Sequence, residues 1–239
     1  MSTETGYLAL LLDAPLQSWG FASRFQRRTT GLHPTKSGIV GLLAAALGVD
    51  KHSPGEADAI AALARLRMTV IKILKPNVAA FARTRTDALE VRRLEDYHTV
   101  QGTRRASGKI DEDGTVQTYR QYLLDARFGV ILSAAADWRL PDKRDLAAVA
   151  AALRDPVWGV WFGRKCCIPA EPVYRGGPFK DETEAWRKLV GDAPREQFTR
   201  VEEAGDFGSG TDTFNDRPVT FKTPNTHAPR RVLLKRAGE

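Results

Sequence analysis

The residues best placed to do chemistry are cations standing where a polyanion could reach them. In Pro34-Thr35-Lys36-Ser37-Gly38 a cap residue, a lysine and a glycine open an apolar periodic run. Thr35 or Ser37 can cap a helix there, the first-turn N–H groups favour an anion, and Lys36 adds a charge. An ordinary helix cap with a packing glycine would have the same sequence, so both readings stand. It is not a Walker A loop, because no GxxxxGK series precedes the serine. Upstream, Arg24, Arg27 and Arg28 lie among Trp19, Phe21 and Phe25. Guanidinium groups beside flat rings suit a single strand, with arginines on phosphates and a ring under a base. The competing reading is a solvated edge with its aromatics turned inward, Trp19 plugging the core just after a strand. Arg164 and Lys165 follow a glycine and are phosphate candidates. Trp158, Trp161 and Phe162 before them read as core or subunit-interface residues.

Catalytic chemistry has thinner support. His33, His52, His98 and His227 lie far apart, and none belongs to an HExxH or an HxE…PCxxC spacing. The best metal-free set is Tyr97 and His98 with Lys109, which could deprotonate a ribose 2′-hydroxyl and stabilise the cleaved phosphate. Against it, Tyr97 packs and His98 hydrogen-bonds at the base of an insertion. Asp206, Asp212 and Asp216 do not match an EF-hand loop and read as an acidic surface loop. Neither a metal nor a cofactor is expected.

Thirty-six Lys and Arg against 29 Asp and Glu leave a net charge of +7, which permits a polyanionic partner without requiring one. Placement says more. From Ala14 to Val49 there are four basic residues and no acid, and from Arg217 to Arg236 six and again none, which predicts one electropositive face. The adjacent Cys166 and Cys167 form neither a CxxC nor a ready disulfide, which fits a reducing cytoplasm. The apolar run 7–12 is too short to span a bilayer, and no membrane association is expected.

These residues need elements to hold them. The spacing predicts a buried strand over 7–13 and a helix over 36–47 stopped by Gly48. A second helix runs to 66, with Ser53 as cap, Pro54 at the first position and Glu56 closing a capping box. Strands follow over 68–75, 117–124 and 127–134, then a helix capped by Asp142 and running to 153. Between 77 and 116 large apolar residues are scarce, and a projecting hairpin or ordered insertion is expected, since a structureless loop of that length is unusual. Strand–helix–strand, insertion, strand–helix is compatible with an α+β core of the RNA-recognition or ferredoxin-like kind. Gly176-Gly177-Pro178 marks a boundary: 1–175 as the main domain, 176–239 as a small, mostly-β extension. The extension should hold a helix near 182–190, a strand at 197–202, an irregular loop to 216 and final strands at 219–222 and 231–235.

An ordered series of short motifs carries a family likeness. Ala14-Pro15-Leu16-Gln17-Ser18-Trp19-Gly20 comes first, then Pro34-Thr35-Lys36-Ser37-Gly38 leading into Gly41-Leu42-Leu43, and Asp96-Tyr97-His98-Thr99-Val100. Tyr119-Arg120-Gln121-Tyr122-Leu123 with Asp125-Ala126, and Phe162-Gly163-Arg164-Lys165-Cys166, complete it. Over residues 8–167 the chain resembles the CasD family, the subunit of type I-E CRISPR Cascade that binds the 5′ handle of the crRNA. The last motif departs from the family pattern, in which a second arginine and a serine commonly follow the glycine.

The resemblance implies an RNA-recognition-like domain whose insertion at about 77–116 is a thumb lying across the guide. It implies a non-catalytic antiviral-defence subunit at the foot of a ribonucleoprotein complex, beside the large subunit and the first backbone subunit, with target DNA nearby in the R-loop. Handle phosphates would then meet Lys36 with the Thr35–Ser37 helix start, Arg24, Arg27 and Arg28, while Arg164 and Lys165 line the same groove. Arg104, Arg105 and Lys109 would steady the guide near the thumb, and Trp19 is the candidate stacking ring. The alternative is a metal-independent endoribonuclease that processes precursor crRNA.

Overall fold

The structure, a computed structural model, describes residues 4–21, 26–75, 91–104, 107–206 and 208–238. Arg24 and Arg105 lie outside the described residues. In chain order the elements are β1 (Glu4–Asp13), β2 (Leu16–Gln17), β3 (Arg27–Arg28), α1 (Lys36–Leu47), α2 (Glu56–Ala64), β4 (Arg67–Lys72), β5 (Arg92–Arg104) and β6 (Ile110–Leu124). They continue with β7 (Arg127–Ala135), α3 (Leu146–Arg154), β8 (Tyr174–Phe179), α4 (Glu182–Val190), β9 (Arg200–Glu203), β10 (Asp212–Thr220) and β11 (Thr226–Lys235).

Seven strands form one sheet in the order β10-β11-β9-β4-β7-β1-β8. The run β4-β7-β1-β8 is antiparallel throughout. Helices connect β1 to β4 and β7 to β8, which is consistent with a ferredoxin-like α+β arrangement. β1 is central and buried on both faces, and therefore reads as a nearly unbroken apolar run. Leu8, Leu10 and Leu12 enter the core shared with α1, α2 and α3. Ala9 points to the opposite face, where α4 lays Ala185 and Trp186 over Ile71 and Ile131.

The C-terminal strands extend this same sheet. β9 pairs with the edge of β4, and β8 pairs with β1, so the expected boundary at 175/176 falls inside β8. The reason is the free edge that β4 would otherwise present, with a row of unpaired backbone groups. Asp216, expected in an irregular loop, sits within β10 and is buried.

Local capping departs from expectation at two helices. α2 starts at Glu56 with Gly55 ahead of it and no side-chain cap. Glu56 turns inward, accepting hydrogen bonds from Thr220 Oγ1 and the Phe221 N–H, both at 2.6 Å, and ties the helix to β10. α3 is capped by Asp145, whose carboxylate accepts from the Ala147 and Ala148 N–H groups, while Asp142 pairs with Arg144.

Between β4 and β7 rises a hairpin of β5 and β6, paired from Arg92–Leu124 to Arg104–Ile110 with one register shift between Gln101 and Thr103. The strand expected at 117–124 is the returning arm of this hairpin. A strap, described over residues 14–21 and 26–28, lies along the other edge of β6 through β2 and β3.

Candidate nucleic-acid interface

The strap is held by side chains that the sequence displays as one motif. Gln17 is fully buried; its Nε2 donates to the Leu12 and Ala126 carbonyls at 3.0 and 2.7 Å, and its Oε1 accepts from Trp19 Nε1. Trp19 is 1% exposed, with its ring 6.0 Å from that of Phe162. A Cβ on Gly38 would meet the Trp19 ring at 2.8 Å, so this glycine lets α1 approach the indole. Trp19 is thus a core plug and offers no stacking face. Its backbone closes the strap loop, the N–H donating to Thr30 Oγ1 and the carbonyl accepting from Gly31.

β3 then joins β6 in parallel, pairing Arg27 with Tyr119 and Arg28 with Arg120. Between β2 and β3 the ladder leaves the Gln121 carbonyl unpaired by backbone. Ser18 Oγ and Arg164 Nη1 fill that gap, donating to it at 3.2 and 3.0 Å. Arg164 Nη2 donates to the Arg28 carbonyl at 2.8 Å, and the guanidinium lies 4.5 Å from the centre of the Tyr122 ring. The loop that delivers Arg164 docks through Ser18, whose N–H donates to the Phe162 carbonyl at 3.0 Å. Gly163 adopts φ +94°, and any Cβ there would overlap the Ser18 carbonyl. Lys165 is exposed beside Trp161, 5.9 Å from its ring centre. Burial pushes the Tyr122 hydroxyl above its ordinary range, and pushes the buried Cys167 thiol up to about 12.

Strand alternation separates two faces at the hairpin root. One carries Glu95, Tyr97, Tyr119, Gln121 and Arg27. Tyr97 is 54% exposed, its ring 5.8 Å from that of Tyr119, and Arg27 lies 5.3 Å over Tyr119 and 4.0 Å from Glu95. The other face carries Arg28, Arg120, Asp96 and His98. Sequence reasoning missed Tyr119 and Glu95. Their i, i+2 relation to Gln121 and Tyr97 was visible, but the hairpin register that joins the two pairs was not.

The remaining candidates lie elsewhere. Arg104 and Lys109 are exposed at the hairpin tip, roughly 20 Å along the hairpin from the Tyr97–Tyr119 pair at an ordinary strand rise. Lys36 faces inward: it is 1% exposed, and its Nζ donates to Glu203 Oε2 at 2.6 Å and to the Leu66 carbonyl. Burial holds its pKa below the ordinary lysine range against the pull of Glu203. Thr35 caps α1, its Oγ1 accepting from the Gly38 N–H, and Ser37 Oγ donates toward Thr35 Oγ1 at 3.4 Å. The helix start does attract an anion, but an internal one. Asp216 Oδ2 accepts the Lys36 N–H at 2.7 Å, and Arg230 grips the same carboxylate with two bonds of 2.6 and 3.0 Å. Although burial opposes its charge, that fork holds Asp216 below the usual carboxylate range. Among the described residues no cluster of His, Cys, Asp or Glu could hold a metal ion, and no helix is long and apolar enough to cross a membrane.

The profile described as CRISPR-associated protein (Cas_Cas5) matches residues 7–232, almost the whole chain. The chain belongs to this family. It is also 30% identical over 171 residues to the CRISPR system Cascade subunit CasD of Escherichia coli strain K12, covering 71% of this chain and 70% of that one. In fold, this Cas5 chain matches a chain of a CRISPR RNA-guided surveillance complex, with a TM-score of 0.69 at 24% identity over 95% of this chain and 88% of that one. A crystal structure of a Cas protein matches with a TM-score of 0.62 at 29% identity over 97% and 94%. The sequence likeness to CasD therefore holds, and its motifs are the ones that build the strap and its docking loop.

Proposed function

We propose that this Cas5 protein is an RNA-binding subunit of a CRISPR surveillance complex that grips the 5′ handle of the crRNA at the root of its hairpin. The observation that carries this reading is the strap: Arg27 and Arg28, both exposed, are zipped onto β6, Arg27 on the face of the exposed Tyr97 ring and Arg28 on the opposite face, with Arg164 and Lys165 delivered to the same edge. Cations on backbone phosphates next to rings that hold splayed bases are the means by which single-stranded RNA is recognised. Arg104 and Lys109 at the tip would follow the strand onward as it leaves the root, and the hairpin would act as the thumb across the guide. The large subunit and a backbone subunit would flank it, with target DNA close by. Lys36, Thr35, Ser37 and Trp19 support the site from behind.

The ribonuclease reading needs Tyr97, His98 and Lys109 around one phosphodiester. Adjacent strand residues face opposite sides, and Lys109 stands roughly 20 Å along the hairpin from Tyr97. The described geometry favours holding the strand over cutting it.

Reversing both strap arginines, Arg27→Glu with Arg28→Glu, tests the proposal. The double variant is expected to bind a handle-bearing RNA at least a hundredfold more weakly at low salt. Its log Kd against log salt should be shallower by about 1.4, the contribution of two lost phosphate contacts on a single strand. Unchanged affinity and slope would place the RNA elsewhere.

A further inference from the structure

The Tyr97 face of the hairpin root holds a carboxylate where a phosphate-binding surface should avoid one. Glu95 shares that face with Tyr97, Tyr119, Arg27 and Gln121. Its Oε2 accepts from Gln121 Nε2 at 3.1 Å and lies 4.0 Å from Arg27 Nη1, and the side chain remains 42% exposed. Gln121 thereby points its amide nitrogen at Glu95 and leaves its own Oε1 as a further acceptor. Next to two aromatic rings the protein offers the Glu95 carboxylate and the Gln121 Oε1 as acceptors, with the Arg27 guanidinium close enough to offset the negative charge.

Building on the RNA-binding reading, we propose that this face takes one unstacked guanine of the bound strand, laid on the Tyr97–Tyr119 pair with its Watson–Crick edge on Glu95. The selectivity follows from the edges of the four bases. Guanine presents two adjacent donors, N1–H and the N2 amine, which match the two oxygens of a carboxylate. Adenine and cytosine each present one amine beside a ring-nitrogen acceptor, which a carboxylate repels. Uracil presents one N–H between two carbonyls. An edge laid on this carboxylate therefore turns a lone pair toward it in three bases and is fully matched in one. Arg27 lies over Tyr119, leaving the exposed Tyr97 ring as the stacking platform. Hydrogen bonds to a charged partner are stronger than neutral ones, and partial exposure of Glu95 keeps the preference near the lower end, about tenfold.

The test uses the full chain and RNA nonamers of uridine whose central nucleotide is G, A, C, U or inosine, titrated by fluorescence anisotropy. The guanine nonamer is expected to bind about tenfold tighter than the others, with inosine in between because it keeps N1–H and lacks the amine. Glu95→Ala should bring all five within about twofold of one another, while binding the uridine nonamer at least as tightly as the parent does, since an acid has left the surface. A phosphate-site or folding role for Glu95 would leave the relative affinities of the five nonamers unchanged. Equal affinities in the parent, or a guanine preference that survives Glu95→Ala, would overturn the assignment and leave the RNA-binding reading intact. Absence of binding to every nonamer would instead overturn that reading.

Discussion

At the scale of single residues, Gly163 shows how tightly the interface is fitted to its support. A side chain there meets the Ser18 carbonyl, and its φ of +94° already disfavours any L-residue. Gly163→Ala should cost about 2–4 kcal/mol in urea unfolding, the usual range for combined steric and backbone strain. It should weaken handle RNA as well, because Arg164 leaves the gap between β2 and β3. Loss of stability without loss of RNA affinity would show that Arg164 serves only the fold. Lys36 teaches the opposite lesson about legibility. A lysine at a capped helix start reads locally as an anion site, and the inference about the helix was sound, but its anions are Asp216 and Glu203, 180 and 167 residues further on. Non-local ion pairing leaves no local trace, so nothing in Pro34–Gly38 distinguishes a ligand lysine from this internal one.

Among the elements, those with a strong period were readable to the residue. α1 spans Lys36–Leu47 and α4 Glu182–Val190, as expected, because apolar spacing and Gly48 or an acidic first turn define both. The hairpin was legible as an insertion but not in extent, since β5 is exposed almost throughout and carries no apolar alternation. Where α1 meets β10, burial has a measurable consequence. His33 packs 5.2 Å from Phe214, with its Nδ1 3.0 Å from the Pro34 carbonyl, and burial, followed by the nearby Arg230, holds its pKa below the ordinary 6.5 despite the pull of Pro34 and Asp216. The folded state keeps this imidazole neutral while the unfolded chain takes up a proton below 6.5. Its contribution is therefore present above that pH and lost as pH falls toward the lowered value. The thermal midpoint should decline on acidification below pH 6.5, and His33→Phe should flatten that decline. The contribution of Asp216 is lost in a separate, more acid window, below 3.8.

On the scale of the whole molecule, the last 64 residues finish a sheet that the first 175 begin. Fold class was legible because the order of strands and helices survives any error in their ends. The seam was not, because β9 is only four residues long, β9 and β11 are rich in polar residues, and the glycines at 176 and 177 lie within a strand. A fragment ending at residue 175 would expose the edge of β4, remove β8 from β1 and strand Lys36 without Glu203. Leaving one charge of a buried pair costs about 3–5 kcal/mol by itself. This fragment is expected to aggregate or to show no cooperative unfolding by circular dichroism. A soluble, cooperatively folding fragment would make the extension dispensable.

The bond from the Lys36 N–H to Asp216, locked by Arg230, also sets a clock on biosynthesis. At roughly 5–20 residues per second, a ribosome needs on the order of 10–40 s to travel from the helix start to the aspartate that satisfies it. Through that interval the first N–H of α1 lacks Asp216, and for most of it the Lys36 ammonium lacks Glu203. The groove behind the strap can set only after the final hairpin emerges.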